Sequence, residues 1–390
     1  MTSLQALVPE RQKRWLLQAE AAGYHVTLAL LMPVNVLLAR LLARRRMPGA
    51  VLHISSMVHV PFHTVRILRE HGVHADYLAV GDSPWWDQAD FHYRPSRWPI
   101  VSVLKEMWWV WRVVNRYSIV HSHFMVTLTR TGWEWPLLRR HGRHIVVHYR
   151  GCEIRDATRN QRLHPDVNIC QECDYDPRIC EQPVNVLRRP LAAAHGSAFL
   201  VTTPDMKDFA PAAVHVPFFV MRPDGVAAPP SPAVRRPFKI VHATNHPGIE
   251  GSRRIRSAVE AVAAKGHSLQ FVELNGVTHD RVLQELADAD LSIGKMKMGY
   301  YANLQIESMA AGVPTITYVR PEFMTPALEQ SGFIFADLAT LESVVEYYVT
   351  RPDALAEKRR QARASILALH DNTAIARQYI DLYNSLAGPA

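Results

Sequence analysis

From residue 49 onward, short apolar runs alternate with longer segments whose apolar positions recur every three or four residues. The short runs predict strands: VLHIS (51–55), DYLAV (76–80), SIVHSHF (118–124), HIVVHY (144–149) and AFLVTT (198–203). Helical period appears over 64–71 and 101–115. The alternation stops at 221–237, where five prolines stand in 17 positions and no period survives, as expected of a linker. It then restarts with strands FKIVHAT (238–244), LQFVEL (269–274), LSIGK (291–295) and TITYV (315–319). Helices are predicted over 255–265, 280–289, 338–349, 352–368 and 371–387. Strands alternating with helices predict parallel, doubly wound sheets, whose ligands bind at the carboxyl ends of the strands.

The chain has 390 residues, enough for two such domains. The pattern divides it into a lead segment (1–48), a first α/β domain (49–220), the linker (221–237), a second α/β domain (238–370) and a closing helix (371–390). The formal charge is +8, of which the lead carries +5: seven Arg and Lys against Glu10 and Glu20. Within that lead, HVTLALLMPVNVLLARLL (25–42) is apolar but interrupted by Pro33, Asn35 and Arg40. Two main readings stand, a helix lying in a membrane interface with Arg40 and Arg44–Arg46 on the headgroups or a helix buried against the first domain, with a transmembrane span as the lesser third. Nucleic acid is not an expected partner, because the charge is local to an apolar segment and no recognition motif accompanies it. Four cysteines do not make a disulfide scaffold. The expected location is the cytoplasm, peripheral at the inner face of the membrane.

One stretch is more specific. In GYYANLQIESMAAGVPTITY (299–318) a carboxylate, Glu307, sits on a small-residue helix that ends in Gly312-Val313-Pro314. A carboxylate accepts two hydroxyl hydrogen bonds, and a helix start faces a diphosphate with its N–H groups. This stretch resembles the nucleotide-sugar site of retaining glycosyltransferases of the GT-B fold, in the large family 4 (glycosyl transferases group 1). The resemblance extends to HATNHPGIEGSRRIRSAVEAVAAKGHSLQFVEL (242–274), HDRVLQELADADLSIGKMKMGYY (279–301), HYRGCEIRD (148–156) and LALHDNTAIARQYIDLYNSL (367–386), covering roughly 49–388.

The resemblance implies two Rossmann-like domains facing a cleft, with the closing helix crossing back to the first. It implies an enzyme that moves a sugar from a nucleotide-sugar donor to a saccharide or lipid-linked acceptor with retention, in cell-surface polysaccharide or glycoconjugate synthesis. Glu307 would bind the ribose hydroxyls beside Asn303 and Leu304. His148, at a strand end, would meet a donor-sugar hydroxyl, and Gly151, Glu153 and Arg155 would face the donor sugar or acceptor. Glu153 and Arg155 could instead pair with each other.

Two positions depart from the family pattern. Gly299 stands where an acid usually holds the donor sugar, and Glu250-Gly251 replaces a phosphate-binding Lys-Gly. Arg253, Arg254, Lys295 and Lys297 are the candidates to supply charge at the diphosphate. A GT-B-like binding or scaffold protein without catalysis is the alternative. No cofactor is expected for catalysis, since cations and helix N-termini can stabilise the leaving diphosphate. Asp288-Ala289-Asp290 matches the letters of a metal site but stands at a helix end before a strand. His121, His123, His59 and His63 are weaker candidates for an acceptor pocket.

Cys170-Gln-Glu-Cys173, followed by Cys180, has the first half of a structural zinc spacing, with Cys152, His164 or a distant group as fourth ligand; three reduced thiols is the alternative. All nine Trp fall within the first 135 residues, as packing residues or as platforms for a lipid or sugar acceptor.

Overall fold

The computed structural model describes residues 10–42, 49–56, 59–81, 88–221 and 237–388. Residues 222–236 of the Pro-rich linker, Arg44–Arg46 and Trp85-Trp86 lie outside them, as do the side chains of Arg11, Lys13, Arg14 and His59. The chain begins with α1 (Glu10–Leu42), then β1 (Val51–Ser55), α2 (His59–Glu70), β2 (Ala75–Val80), β3 (Phe91–Tyr93) and α3 (Pro99–Arg116). Next come β4 (Ile119–His123), α4 (Glu134–Arg140), β5 (His144–Tyr149), α5 (Ala157–Leu163), α6 (Pro183–His195), β6 (Ala198–Val201) and β7 (Val214–His215).

The second half runs through β8 (Phe238–Ala243), α7 (Pro247–Glu250), α8 (Ser252–Ala264), β9 (Leu269–Leu274), α9 (His279–Leu286) and β10 (Leu291–Ile293). It continues with α10 (Asn303–Ala310), β11 (Thr315–Thr317), α11 (Pro326–Glu329) and β12 (Phe333–Phe335). Three helices close it: α12 (Leu341–Thr350), α13 (Pro352–Leu369) and α14 (Asn372–Ala387).

The strands form two parallel sheets, one of seven strands in the order β3-β2-β1-β4-β5-β6-β7 and one of five in the order β12-β11-β10-β8-β9. Strands covered on both faces read as continuous apolar runs rather than alternations. Every residue of β1 and β4 is buried, and five of six in β5 and β8. The order reverses between β1 and β4 in one sheet and between β8 and β10 in the other, where the loops after the strands diverge and leave a crevice.

By contact density the chain falls into two units: residues 1–148, 187–199 and 379–390, and residues 149–186 and 200–378. In the second, Ile255, Val259 and Val262 of α8 pack with Ile240, Leu291, Ile293 and Ile316 of the sheet. At about 25 cal/mol per Å² of apolar surface, such aliphatic burial is the main favourable term.

In the first unit α1 packs on α3. Tyr24 Oη donates to the buried Glu106 Oε2 at 2.5 Å, and Trp111 Nε1 donates to Asn35 Oδ1 at 2.6 Å. Leu28 and Leu31 join Val103 and Met107 beneath. Asn35, an interruption in the apolar run, is therefore a fully buried, paired group. The outer side carries Val26, Leu30, Val34, Leu37 and Leu41, all exposed, with Val101, Leu104 and Trp108 exposed on α3. Residues 20–41 are long and apolar enough to cross a membrane.

Candidate functional site

In the second unit, the start of α8 and the loop after β10 hold the cations expected at a diphosphate. Lys295, Lys297 and Arg253 are already engaged. Lys295 Nζ pairs with Glu250, which α7 turns inward so that its carboxylate is buried. Lys297, only 2% exposed, donates to Glu172 Oε2 and to the Gly248 carbonyl, both at 3.0 Å. Arg253 pairs with the other oxygen of Glu172. The Lys297 ammonium, with Arg253 beside it, holds the Glu172 carboxyl below its ordinary range. Arg254, exposed at the start of α8, lines the same recess with Glu172, Arg253 and Lys297. Glu250, expected to repel a diphosphate unless turned away, is thus neutralised by Lys295.

Glu307 projects from α10, whose small Ala310 and Ala311 pack flush in the core. Its carboxylate straddles His279 Nε2, with Oε1 at 3.0 Å and Oε2 at 3.1 Å. His279 opens α9, where Thr278 caps by accepting from the Arg281 N–H. Asn303 begins α10, and Leu304 packs against Val241, Ala243 and Leu274. Glu307 was expected to bind ribose hydroxyls; the histidine it meets lies 28 residues away, where helical period alone gives no sign of it.

At Gly299 the backbone adopts φ +83°, and a Cβ there would fall 2.6 Å from Arg320 Cγ. Arg320 fills that space, pairing with Asp208 Oδ2 at 2.8 Å and with His164. Burial pushes the Asp208 carboxyl up, but Arg320 and His164 bring it below its ordinary range. A small polar recess beside these groups is lined by Arg155, Asp205, Lys297, Gly299, Tyr318 and Arg320. Among the described residues, Arg320 Nη2 and Asp205 Oδ1 are buried there with no hydrogen-bond partner. Sequence reasoning missed Arg320, Asp205 and Asp208, whose neighbours come from distant segments.

Arg155 Nη2 donates to Asp205 Oδ2 at 2.5 Å. Glu153 accepts the Arg150 N–H at 2.5 Å, and burial raises its carboxyl above the ordinary range. Both side chains curl over Gly151, where a Cβ would lie 3.6 Å from Glu153 Oε2 and 3.9 Å from Arg155 Nη1.

In the first unit, adjacent strands β1, β4 and β5 carry a histidine cluster. Register sets His53 beside His121 and His123 beside His148. The two-residue period of β4 puts His121 and His123 on one face. His53 Nδ1 lies 3.0 Å from His123 Nε2, and His121 Nε2 lies 3.1 Å from His148 Nδ1. Tyr383 Oη, on α14, is 2.7 Å from His121 Nδ1 and 3.3 Å from His53 Nε2. All four imidazoles are fully buried. Each N···N contact needs one nitrogen with its hydrogen and one without. His148, expected to reach a donor hydroxyl, is enclosed in this network, and His53 and Tyr383 are members that the sequence reading did not single out. His63 stands apart on α2, half-buried.

No protein-family model matches the sequence, and no curated protein matches it. Solved structures do match in fold. Sucrose-phosphate synthase from Thermosynechococcus elongatus superimposes with a TM-score of 0.55 at 13% identity, over 87% of this chain and 99% of that one. HepE of Anabaena, in complex with UDP and glucose, gives 0.58 at 12% identity, over 87% and 100%. The catalytic domain of starch synthase IV from Arabidopsis thaliana, bound to ADP and acarbose, gives 0.57 at 10% identity, over 87% and 99%. This chain is similar to these glycosyltransferases in its pair of Rossmann-like parallel sheets, the GT-B fold.

Proposed function

We propose that this chain is a glycosyltransferase that takes a sugar from a nucleotide-sugar donor. The observation that carries this reading is the crevice of the five-stranded sheet, where Glu307 and the cations Lys295, Lys297, Arg253 and Arg254 stand on loops and helices at the carboxyl ends of the strands. The neighbours in fold, bound to UDP and glucose or to ADP, support the same ligand class. Glu307 would exchange His279 for the two ribose hydroxyls. Lys297 and Arg253 would exchange Glu172 for the diphosphate, and the N–H groups at Asn303 and Leu304 would face the same charge. Arg320 Nη2 and Asp205 Oδ1 would take sugar hydroxyls in the recess beside Lys297.

The reaction breaks the anomeric carbon–oxygen bond, and its main demand is charge stabilisation on the departing diphosphate. Fixed cations and a helix N-terminus meet that demand, so the scheme assigns no metal to the transfer, and we place it among retaining enzymes on the resemblance in sequence. We assign the acceptor to the saccharide or lipid-linked class, used in surface polysaccharide or glycoconjugate synthesis at the inner face of a membrane. The apolar outer face of α1 and α3 and the basic lead support that placement.

The second reading, a GT-B-like binding protein without catalysis, is favoured by Glu250 and Glu172 holding the cations and by Gly299 in place of the sugar-binding acid. Calorimetric titration with a panel of nucleotides and nucleotide sugars tests both. Binding of one nucleoside diphosphate, weakened at least about tenfold (roughly 1.4 kcal/mol) in Glu307→Ala, is expected. Binding to none of them by a folded protein would sink the donor assignment, and binding without sugar transfer to any saccharide or lipid-linked acceptor would favour the second reading.

A further inference from the structure

The segment 150–182 joins β5 to α6, and α5 is its one α-helix, seven residues long. Irregular loops of this length inside compact domains need something to hold them. The chain's four cysteines all lie in this segment and line one small cavity: Cys152 from the turn after β5, Cys170 and Cys173 from the middle, and Cys180 from a 3-10 turn before α6. None of the four is in a disulfide. The rest of the lining includes Ile169, Ile249, Arg155 and Arg178, and no carboxylate.

We propose that Cys152, Cys170, Cys173 and Cys180 bind one structural Zn²⁺. Four thiols lose four protons to solvent on binding, so the loaded site carries a net charge of −2. Arg155 and Arg178 in the wall offset that charge. Arg155 Nη1 donates to Cys152 Sγ at 3.7 Å, and Asn160 Nδ2 donates to Cys170 Sγ at 3.2 Å, the outer hydrogen bonds that orient thiolate ligands. His164, the other fourth-ligand candidate, is committed to Asp208 and Arg320.

His53, His121 and His123 are a second cluster, with ligand atoms within 4.8 Å of one another. Their nitrogens already meet each other and Tyr383, so that network needs no ion. The cysteine sulfurs are not gathered so closely, and an ion would draw them inward. A bound ion would fix both ends of Gln171-Glu172. Glu172 is the residue that occupies Lys297 and Arg253, and its carbonyl is packed so closely on Gly248 that a Cβ there would fall 1.9 Å away. The site would therefore set the reach of Glu172 over the cation recess. This inference does not depend on the donor reading, since a binding protein would need the same staple.

The test is metal analysis of full-length protein purified without chelator. About one zinc per chain is expected, falling below about 0.2 in Cys152→Ser and in Cys170→Ser and unchanged in His164→Gln. Because the serine variants could fail to fold, wild-type protein is also titrated with a mercurial while released zinc is followed. Zinc should leave as the four thiols react, and cobalt substitution should give intense thiolate-to-cobalt absorption. Wild-type zinc below about 0.2 per chain with four titratable thiols would overturn the proposal. So would iron with acid-labile sulfide in place of zinc, or full zinc retention in folded Cys152→Ser.

Discussion

Glu172 and Gly299 change the meaning of the residues around them. A Cβ at Gly299 would collide with Arg320, so the missing acid is accompanied by a guanidinium in its space rather than by an empty site. Glu172 covers Lys297, which is 2% exposed and in the proposed donor site would reach a phosphate only when that carboxylate leaves. The pair is half-exposed on the glutamate side, where screening limits such contacts to about 1 kcal/mol. Glu172→Gln should therefore tighten nucleoside diphosphate binding by roughly fivefold, read by titration calorimetry against wild type. Equal or weaker binding would mean that Glu172 does not compete with the ligand. Glu307 was legible in the sequence because its helix, its small residues and its Gly-X-Pro stop are adjacent. Glu172 was not, because the residue it meets lies 125 positions away.

At the scale of elements, the longer strands follow their apolar runs closely: β1, β5 and β9 occupy the expected residues. The strands left unassigned are β3, β7 and β12, of three, two and three residues. Runs that short have no period to read, and neighbouring strands make them extended; β10 and β11, equally short, sit within the five-residue runs 291–295 and 315–319 assigned from sequence. The junction of α13 and α14 shows the same dependence on context. His370 joins the Phe218 carbonyl through Nδ1 at 2.8 Å and Tyr301 Oη through Nε2 at 3.0 Å, and burial pushes its pKa down to about 4. The folded state keeps the ring neutral, whereas the unfolded chain takes up a proton below its ordinary pKa of about 6.5. Stability linked to this group is present above that value and lost as pH falls toward 4. Between pH 6.5 and 4 the loss should reach up to about 3 kcal/mol. Urea midpoints at pH 7.5 and 4.5 should converge more in His370→Asn than in wild type. Identical shifts in both proteins would assign the acid limb to other groups.

For the whole molecule, charge and apolar exposure are what the proposed membrane placement rests on. The lead carries +5, and α1 turns Leu30 and Leu37 outward while burying Tyr24 and Asn35 against α3. The packed side of α1 is the helix buried against the first domain that the run allowed, and its other side is apolar and exposed. In the double variant Leu30→Glu/Leu37→Glu, sedimentation with anionic lipid vesicles should fall at least about tenfold, because charge replaces the apolar face that would enter the interface. Nucleotide binding should not change. Undiminished sedimentation would remove the membrane placement. By itself the sequence determined two α/β halves, their parallel sheets and the carboxylate helix around Glu307, because period and turn chemistry are local properties of the chain. Tertiary structure alone decided that Glu250 and Glu172 hold the cations, that His279 faces Glu307, that four histidines meet across three adjacent strands, and that Cys152 joins the other thiols. Each of these brings together groups far apart in sequence, and only sheet order and loop packing place them on one network or around one cavity.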